Sequence, residues 1–132
     1  MFELHPNLAS GTRLLAQWEL CQLRALPDPQ LPWLVLVPQR EGVLELFDLS
    51  PADQGRLIKE VNLAAQAIVQ AFGPDKINLG ALGNLTPQFH FHVIGRYKTD
   101  RGWPGPIWGV AATEDPAKAD QILDQLTRHF LG

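Results

Sequence analysis

The chain has 132 residues, 45% of them hydrophobic and 19% charged, which fits a single globular domain over residues 1–132 with a sizeable core. The net charge of −3 and the lack of a basic cluster exclude generic nucleic-acid binding, and the single cysteine, Cys21, excludes an internal disulfide and a cysteine-rich metal site. The first residues lack the basic and apolar parts of a signal peptide, and no apolar run reaches the ~20 residues of a membrane span, so we expect a cytoplasmic protein without membrane contact.

The amino-terminal part of the chain predicts strands separated by a turn. Residues 1–12 contain a proline and a glycine and are expected to be irregular, whereas the apolar-rich residues 14–26 predict a strand. Residues 27–30 predict a turn, because proline fixes φ and aspartate can hydrogen-bond its own backbone. The apolar run at residues 33–37, between two prolines, predicts a strand that is buried on both faces and therefore central in a sheet.

A long helix is predicted over residues 51–72. Ser50 suits the N-cap, Pro51 the first helical position and Asp53 the positive end of the helix dipole. The apolar residues that follow recur at steps of three and four, as on one face of a helix: Leu57, Ile58, Val61, Ala64, Ala65, Ile68, Val69 and Phe72. The pair Gly73-Pro74 is expected to end the helix.

A strand rich in histidine is predicted over residues 88–97, paired antiparallel with a strand at residues 76–82 through a tight connection. Residues 88–94 alternate with a period of two, as strands do. This alternation places Phe89, Phe91 and Val93 on one face and Gln88, His90, His92 and Ile94 on the other. At ~3.3 Å per residue, the two imidazoles are expected to stand roughly 6–7 Å apart and to point the same way.

The last part of the chain predicts a loop and a closing helix. Residues 99–109 are rich in Gly, Pro and Trp and show no period, so they are expected to form a loop. A helix is predicted over residues 116–131, with these apolar positions on one side: Ala119, Ile122, Leu123, Leu126 and Phe130. An antiparallel sheet with one long and one terminal helix is an α+β domain.

Two histidines on one strand face suit two kinds of chemistry. A metal site needs a third ligand such as a carboxylate or another histidine, and the first acid after His92 is the distant Asp100. In phosphate chemistry, a neutral imidazole attacks a phosphoryl centre, while a second, protonated imidazole contacts phosphate oxygens or assists the leaving group. The residues themselves leave both alternatives open.

Residues 88–94 resemble the motif of the histidine triad (HIT) family, His-φ-His-φ-His-φ-φ with φ apolar, with Gln88 in place of the first histidine. Residues 77–80, Ile-Asn-Leu-Gly, are similar to the family's Asn-x-Gly strand, and residues 34–38, Leu-Val-Leu-Val-Pro, to its Leu-Val-Ile-Pro strand. Further similar segments are Asp48-Leu49-Ser50, at the start of the family's long helix, and Trp103-Pro104-Gly105-Pro106, in the Trp-Pro-rich tail of its phosphoramidase branch. The resemblance covers residues 10–106 and leaves the closing helix outside.

The resemblance implies a HIT-like fold, a homodimer, and hydrolysis or transfer of nucleoside phosphates through a nucleotidylated histidine without a required metal. His90 is then expected to be the nucleophile, and His92 to contact the phosphate and assist the leaving group. Asn78 corresponds to an asparagine near the ribose, and Asn84 and Thr86 to the turn that holds the phosphate.

Some positions depart from the family pattern or extend it. Gln88 keeps the backbone carbonyl that holds the nucleophile's far nitrogen in related enzymes, but its side chain cannot carry a proton charge near neutral pH. Trp33 stands where many members have a fourth histidine, and it is expected to narrow or dry the pocket or to stack on a base. Asp28 offers a carboxylate for ribose hydroxyls, in a turn of different length. Trp103 corresponds to a tryptophan that reaches the partner subunit's site.

These observations predict a HIT-like hydrolase or nucleotidyl transferase that acts on a nucleoside phosphate ester, anhydride or phosphoramidate. Its partner is a small-molecule nucleotide, and no cofactor or metal is expected. The alternative is a nucleotide-binding module in which the altered triad keeps affinity and loses turnover.

Overall fold

The computed structural model describes residues 1–131, and these residues form a five-stranded sheet with three helices. The strands are β1 (Arg13–Gln17), β2 (Cys21–Ala25), β3 (Trp33–Pro38), β4 (Lys76–Gly80) and β5 (Phe91–Arg96). The helices are α1 (Pro6–Gly11), α2 (Pro51–Phe72) and α3 (Pro116–Leu131), with a 3₁₀ turn at Leu46–Asp48. The order β1-β2-β3-β5-β4, antiparallel throughout, confirms the predicted α+β class and the central place of β3. None of the helices within residues 1–131 has the length and apolar character to cross a membrane.

The predicted bounds of α2 are confirmed, because both of its ends are encoded locally. The Ser50 hydroxyl accepts a hydrogen bond from the backbone N–H of Asp53 at 3.1 Å, and Pro51 occupies the first turn. At the other end Gly73 adopts a φ of 56°, in the left-handed region that glycine enters without strain. The closing helix also begins at the predicted residue, Pro116.

The prediction of irregular chain over residues 1–12 is wrong in part, because residues 6–11 form α1. Pro6 lies in the first turn of this helix, where a backbone N–H would have no helical partner and its loss costs nothing. The Nδ1 atom of His5 accepts a hydrogen bond from the backbone N–H of Asn7 at 3.0 Å and caps the helix. An imidazole cap is uncommon, which is why the sequence gives little sign of α1.

Residues 14–26 form the hairpin of β1 and β2 instead of the single strand predicted. Its turn carries none of the glycine, proline or asparagine signals that mark most hairpin turns. The turn is held from outside by the buried carboxylate of Glu60 on α2, which accepts hydrogen bonds from the backbone N–H groups of Leu20 at 3.0 Å and Cys21 at 2.9 Å. A contact between residues so distant in the sequence leaves no local pattern.

The predicted antiparallel pairing of the histidine strand with its neighbour is confirmed, with Gly80 of β4 opposite His92 of β5. However, β4 ends at Gly80 and β5 begins at Phe91, so the connection covers residues 81–90 and is longer than predicted. His90 is therefore the last residue of this connection and lies next to β5.

Different layers cover the two faces of the sheet. Phe89, Phe91 and Val93 share one face, as predicted, and helices α2 and α3 cover that face. The opposite face is covered by α1 and by the loop over residues 97–110, which pack against Trp33, Val35, Val37 and Ile94. The two histidines of the motif lie on this second face, beneath a cover of loops and a short helix.

Candidate active site

The imidazoles of His90 and His92 stand side by side on the loop-covered face. Their ring centroids are 5.1 Å apart and the ring planes are inclined by 67°, so the rings lean closer together than the spacing of an extended strand. Only 8% of His90 and 6% of His92 is exposed. Both line a cavity of about 400 Å³, together with these residues of the 81–90 connection: Leu82, Gly83, Asn84, Leu85 and Thr86.

The orientation of the His90 ring is set by the backbone of Gln88. The Nδ1 atom of His90 lies 2.7 Å from the carbonyl oxygen of Gln88. Because a carbonyl oxygen only accepts hydrogen bonds, Nδ1 must carry the proton in this contact. The neutral ring then has its lone pair on Nε2, which has no hydrogen-bond partner among residues 1–131. A lone pair on Nε2 is what a nucleophilic imidazole needs.

The side chain of Gln88 points away from the cavity. Its Oε1 atom accepts a hydrogen bond from the backbone N–H of His5 at 2.8 Å, and its Nε2 atom donates to the carbonyl of Glu3 at 2.8 Å. Gln88 therefore contributes its backbone to the site, while its side chain attaches the amino-terminal segment. His5, which the sequence analysis did not assign to the site, contacts Gln88 through its backbone N–H.

The His92 ring is held in the opposite manner, by a hydrogen-bond donor. The indole Nε1–H of Trp33 lies 2.9 Å from Nδ1 of His92, in a buried contact. An indole N–H can only donate, so Nδ1 of His92 must be unprotonated and the neutral ring carries its proton on Nε2. Burial and the neighbouring His90 lower the pKa of His92 from 6.5 to about 4, which keeps this ring neutral at pH 7.

The connection over residues 81–90 supplies polar groups to the rim of the cavity. Gly83 adopts a φ of 71° there, which a residue with a side chain would reach only with strain. The amide of Asn84 and the hydroxyl of Thr86 both lie on the cavity wall. Thr86 is fixed by the side-chain amide of Asn7 on α1, whose nitrogen lies 3.2 Å from the hydroxyl oxygen.

Two other residues selected from the sequence lie away from this cavity and share a buried arginine. The Oδ1 atom of Asn78 accepts a hydrogen bond from Arg96 at 2.9 Å, and the ring of Trp103 lies over the same guanidinium at 5.8 Å. Arg96 is 1% exposed and forms an ion pair with Asp100 at 2.8 Å. Hydrogen bonds from Arg96 are the main reason why the pKa of Asp100 lies well below its usual range. Asn78 and Trp103 thus belong to the cluster that fixes the start of the covering loop.

Asp28 is likewise occupied by protein partners. Its carboxylate pairs with Arg101 at 2.7 Å and accepts hydrogen bonds from the backbone N–H groups of Gln30 at 2.8 Å and Leu31 at 3.0 Å. Three of its hydrogen bonds go to Oδ1, whereas Oδ2 accepts from Arg101 alone among the described residues.

Trp108 is a site residue that the sequence did not reveal. Its ring centroid lies 5.5 Å from that of His92 and 6.4 Å from that of Trp33. A Cβ atom at Gly80 would lie 3.0 Å from this indole, so the glycine opposite His92 makes room for it. A second cavity, of about 530 Å³, is lined by Trp33, His92 and Trp108 among others. His92 thus borders both cavities. Gly80 was the one feature of the sequence that could have indicated the position of Trp108.

No group of three or more histidine, cysteine or acidic side chains in the described part of the chain is placed to hold a metal ion. The side chains around the two imidazoles are indoles, aliphatic groups, an amide and a hydroxyl, and the second cavity is also lined by the ion pair of Asp28 and Arg101.

Comparisons with known proteins give one family and several structures of the same fold. The family profile described as HIT domain matches residues 9–99. A histidine triad (HIT) protein from Sinorhizobium meliloti is 39% identical, with 97% of this chain and 96% of that chain covered and a TM-score of 0.87. A histidine triad protein from Marinobacter aquaeolei is 35% identical, with 99% and 97% covered and a TM-score of 0.88.

A third structure, a histidine triad protein from Bradyrhizobium japonicum, is 34% identical, with 98% of each chain covered and a TM-score of 0.87. Because nearly all of this chain is covered, α3 also has a counterpart there, although the motifs in the sequence ended before it. No curated protein matches the sequence. The matched profile and the whole-chain likeness to three histidine triad proteins, together with the paired imidazoles at the start of β5, establish that this chain belongs to the histidine triad (HIT) family.

Proposed function

We propose that the protein is a hydrolase or nucleotidyl transferase that acts on a nucleoside phosphate ester, anhydride or phosphoramidate through a nucleotidyl-histidine intermediate on His90. The observation that carries this proposal is the pair of opposite tautomers. His90 presents an unprotonated Nε2 and His92 an Nε2–H, on rings 5.1 Å apart that line one cavity. One nucleophile beside one hydrogen-bond donor suits attack at a tetrahedral phosphoryl centre.

In the proposed first step, the Nε2 lone pair of His90 forms a bond to phosphorus. The bond from phosphorus to the leaving group breaks, and its electron pair stays on the leaving group. A phosphate leaves as the anion, whereas the nitrogen of a phosphoramidate takes a proton from solvent as the bond breaks and leaves as the neutral amine. The positive charge that develops on the imidazole is stabilised by the Gln88 carbonyl on Nδ1–H. In the second step a water, or an acceptor hydroxyl, attacks phosphorus, loses its proton and releases His90.

The remaining residues of the site are assigned to binding. His92 donates its Nε2–H to a phosphoryl oxygen, and the amide of Asn84 and the hydroxyl of Thr86 contact the same group from the cavity wall. The second cavity, walled by Trp33 and Trp108, suits a nucleobase, because aromatic rings bind flat heterocycles well. Because His92 borders both cavities, a phosphate beside it has room for a nucleoside on one side and a leaving group on the other.

We also propose a homodimer through the edge strand β4. One side of β4 has no strand partner among the described residues, and Leu79 on it is 50% exposed. An open edge with exposed apolar side chains favours pairing with another chain. The family resemblance gives the partner as a second copy and gives Trp103 a place near that copy's site.

A second candidate, a nucleotide-binding module without turnover, is favoured by one observation. Neither position 88 nor His92 offers an acidic proton at pH 7, because the Gln88 side chain is bound to the amino-terminal segment and the pKa of His92 is about 4. A leaving group that needs a strong acid would then remain attached. Nucleotide phosphates, which leave as stable anions, are the leaving groups least affected, whereas the nitrogen of an amine needs a proton from solvent before it leaves.

Intact-mass analysis after incubation with a nucleoside 5′-phosphoramidate separates these candidates. The enzyme is expected to gain the mass of one nucleotidyl group, and His90→Ala is expected to gain none. His129→Ala is the matched control, because this histidine is exposed on α3 and should leave the adduct unchanged. Saturable nucleotide binding with neither adduct nor product would contradict the enzyme and support the module.

A further inference from the structure

We propose that Trp33 is a positioning residue that fixes His92 in the Nε2–H tautomer, so that the site operates with a neutral donor. This inference rests on the proposed function and assigns Trp33 a role beyond drying the pocket. Trp33 lines the second cavity, and its indole Nε1–H is also directed at a ring nitrogen of His92.

The first step of the argument is the geometry of the contact. The Nε1–Nδ1 distance of 2.9 Å is that of a normal hydrogen bond, and the two rings meet edge to face at 71°. Trp33 is 6% exposed and begins β3, and in the sheet register it lies opposite Ile94, beside His92. A packed side chain on a central strand holds its N–H in a fixed direction.

The second step is what this donor excludes. If the proton of His92 moved to Nδ1, two N–H groups would face each other in a buried contact, and the indole N–H would lose its only acceptor. The tautomer with Nδ1–H and the doubly protonated ring are therefore both disfavoured. The remaining form carries its proton on Nε2.

The third step is the comparison with an imidazole at position 33, where many family members have a histidine. A neutral imidazole has one donor and one acceptor nitrogen and can exchange them, so it tolerates either tautomer of its neighbour. An indole has no acceptor and permits one tautomer only. A tryptophan in place of this histidine thus restricts His92 to one tautomer, while a hydrogen bond to the His92 ring is kept.

Trp108 provides the contrast within the same site. Its ring also meets His92 edge to face, at 80°, but it makes no hydrogen bond to that ring. Trp108→Phe therefore removes an indole of equal size from the same neighbourhood and leaves the Trp33 contact in place. An effect that is seen in Trp33→Phe but not in Trp108→Phe is therefore caused by the loss of the hydrogen bond.

The test is ¹H–¹⁵N correlation spectroscopy of the histidine rings in the full chain at pH 7. In the wild-type protein, Nδ1 of His92 is expected at the shift of an unprotonated nitrogen and Nε2 at that of a protonated one. Trp33→Phe should move both shifts toward the average of two tautomers, and Trp108→Phe should leave them unchanged. A protonated Nδ1 in the wild-type spectrum would overturn the inference even if Trp33→Phe fails to fold.

Turnover of a nucleoside phosphoramidate supplies the second readout. Trp33→Phe is expected to lower kcat by about 10–100-fold, less than deletion of a transition-state donor, because His92 remains present but no longer holds one tautomer. Trp33→His, which can again donate to Nδ1, should recover part of the rate. An unchanged kcat in Trp33→Phe would contradict the inference. If the His92 tautomer depends on Trp33 but the wild-type protein forms no adduct, the proposed function is contradicted and the inference about Trp33 stands.

Discussion

At the residue scale, the two histidines of the motif have the same side chain and different chemistry. The difference arises at Nδ1, which faces a carbonyl oxygen in His90 and an indole N–H in His92. One contact leaves a lone pair on Nε2 and the other leaves a proton there. Each ring thus acquires its role from an atom that belongs to another residue.

The pH dependence of stability should report the burial of His92. Its pKa of about 4 in the folded protein lies below the ordinary 6.5, so between these values the unfolded chain binds a proton that the folded chain does not. The contribution of His92 to the free energy of unfolding is therefore complete above pH 6.5 and declines as the pH falls toward 4, by at most ~3 kcal/mol.

Urea unfolding at pH 7 and at about pH 4.5 measures this effect. The loss of stability on acidification should be smaller in His92→Asn than in the wild-type protein by roughly 2–3 kcal/mol. His129→Asn, on the exposed side of α3, should lose as much as the wild type. Equal losses in all three proteins would mean that His92 is protonated equally easily in the folded state.

Substitutions at Gln88 should affect the amino-terminal segment more than the chemistry. Gln88→Ala keeps the carbonyl that orients His90 and removes two hydrogen bonds to residues 3 and 5, so it should lower the free energy of unfolding by ~1–2 kcal/mol. Formation of the His90 adduct should stay within a few-fold of the wild-type rate. For Gln88→His we expect no gain in rate, and a clear gain would show that a side chain at position 88 reaches the substrate.

The sequence allowed the shared direction of the two imidazoles to be predicted, because a period of two is a local property. Their ring centroids are 5.1 Å apart, closer than the spacing predicted for an extended strand. The sequence did not allow their tautomers to be predicted, because Trp33 and His92 are far apart in the sequence and meet only across the sheet. Trp108 escaped prediction for the same reason. It comes from an aperiodic loop and finds its place over Gly80 through packing alone.

At the scale of the elements, the ends of a helix or strand can be predicted when their signals lie in the local sequence. Helix α2 carries its own start and stop signals, and its bounds are recovered from sequence. The hairpin of β1 and β2 has a turn without local signals, held by Glu60 from α2. A hairpin whose turn is held by a tertiary contact cannot be predicted from its own residues.

Glu60 offers a test of that dependence. It is fully buried and accepts hydrogen bonds from two backbone N–H groups and from Arg56, so Glu60→Ala would leave buried donors unpaired. We expect a loss of ~3–5 kcal/mol in the free energy of unfolding, measured by urea denaturation. Glu19→Ala is the control, because Glu19 also pairs with Arg56, at 3.4 Å, but its side chain is 74% exposed, and its loss should be within ~0.5 kcal/mol. Similar losses in both variants would contradict the role assigned to Glu60.

At the scale of the whole molecule, different elements cover the two faces of the sheet. Helices α2 and α3 bury one face, and the face with the histidines is covered by α1 and the loop over residues 97–110. The candidate site therefore lies at the start of β5 beneath a cover of loops. The buried Arg96–Asp100 pair fixes the start of the covering loop and links it to the sheet.

The proposed homodimer belongs to this scale as well. The two edges of the sheet, β1 and β4, each carry a leucine with substantial exposure: Leu14 at 42% and Leu79 at 50%. Sedimentation should give a dimer for the wild type and for Leu14→Glu, and a monomer for Leu79→Glu, because a charge in the β4 interface would be buried without a partner. A monomeric wild type at the highest soluble concentration would exclude the dimer.

The position of the phosphorus–nitrogen bond in the trapped intermediate tests the central claim most directly. Phosphorus NMR of the protein after reaction with a nucleoside phosphoramidate distinguishes a nucleotidyl group on Nε2 from one on Nδ1, and peptide mapping identifies the histidine. We predict a single adduct at Nε2 of His90, because the Gln88 carbonyl occupies Nδ1. An adduct at Nδ1 of His90, or on His92, would contradict the assignment of nucleophile and donor.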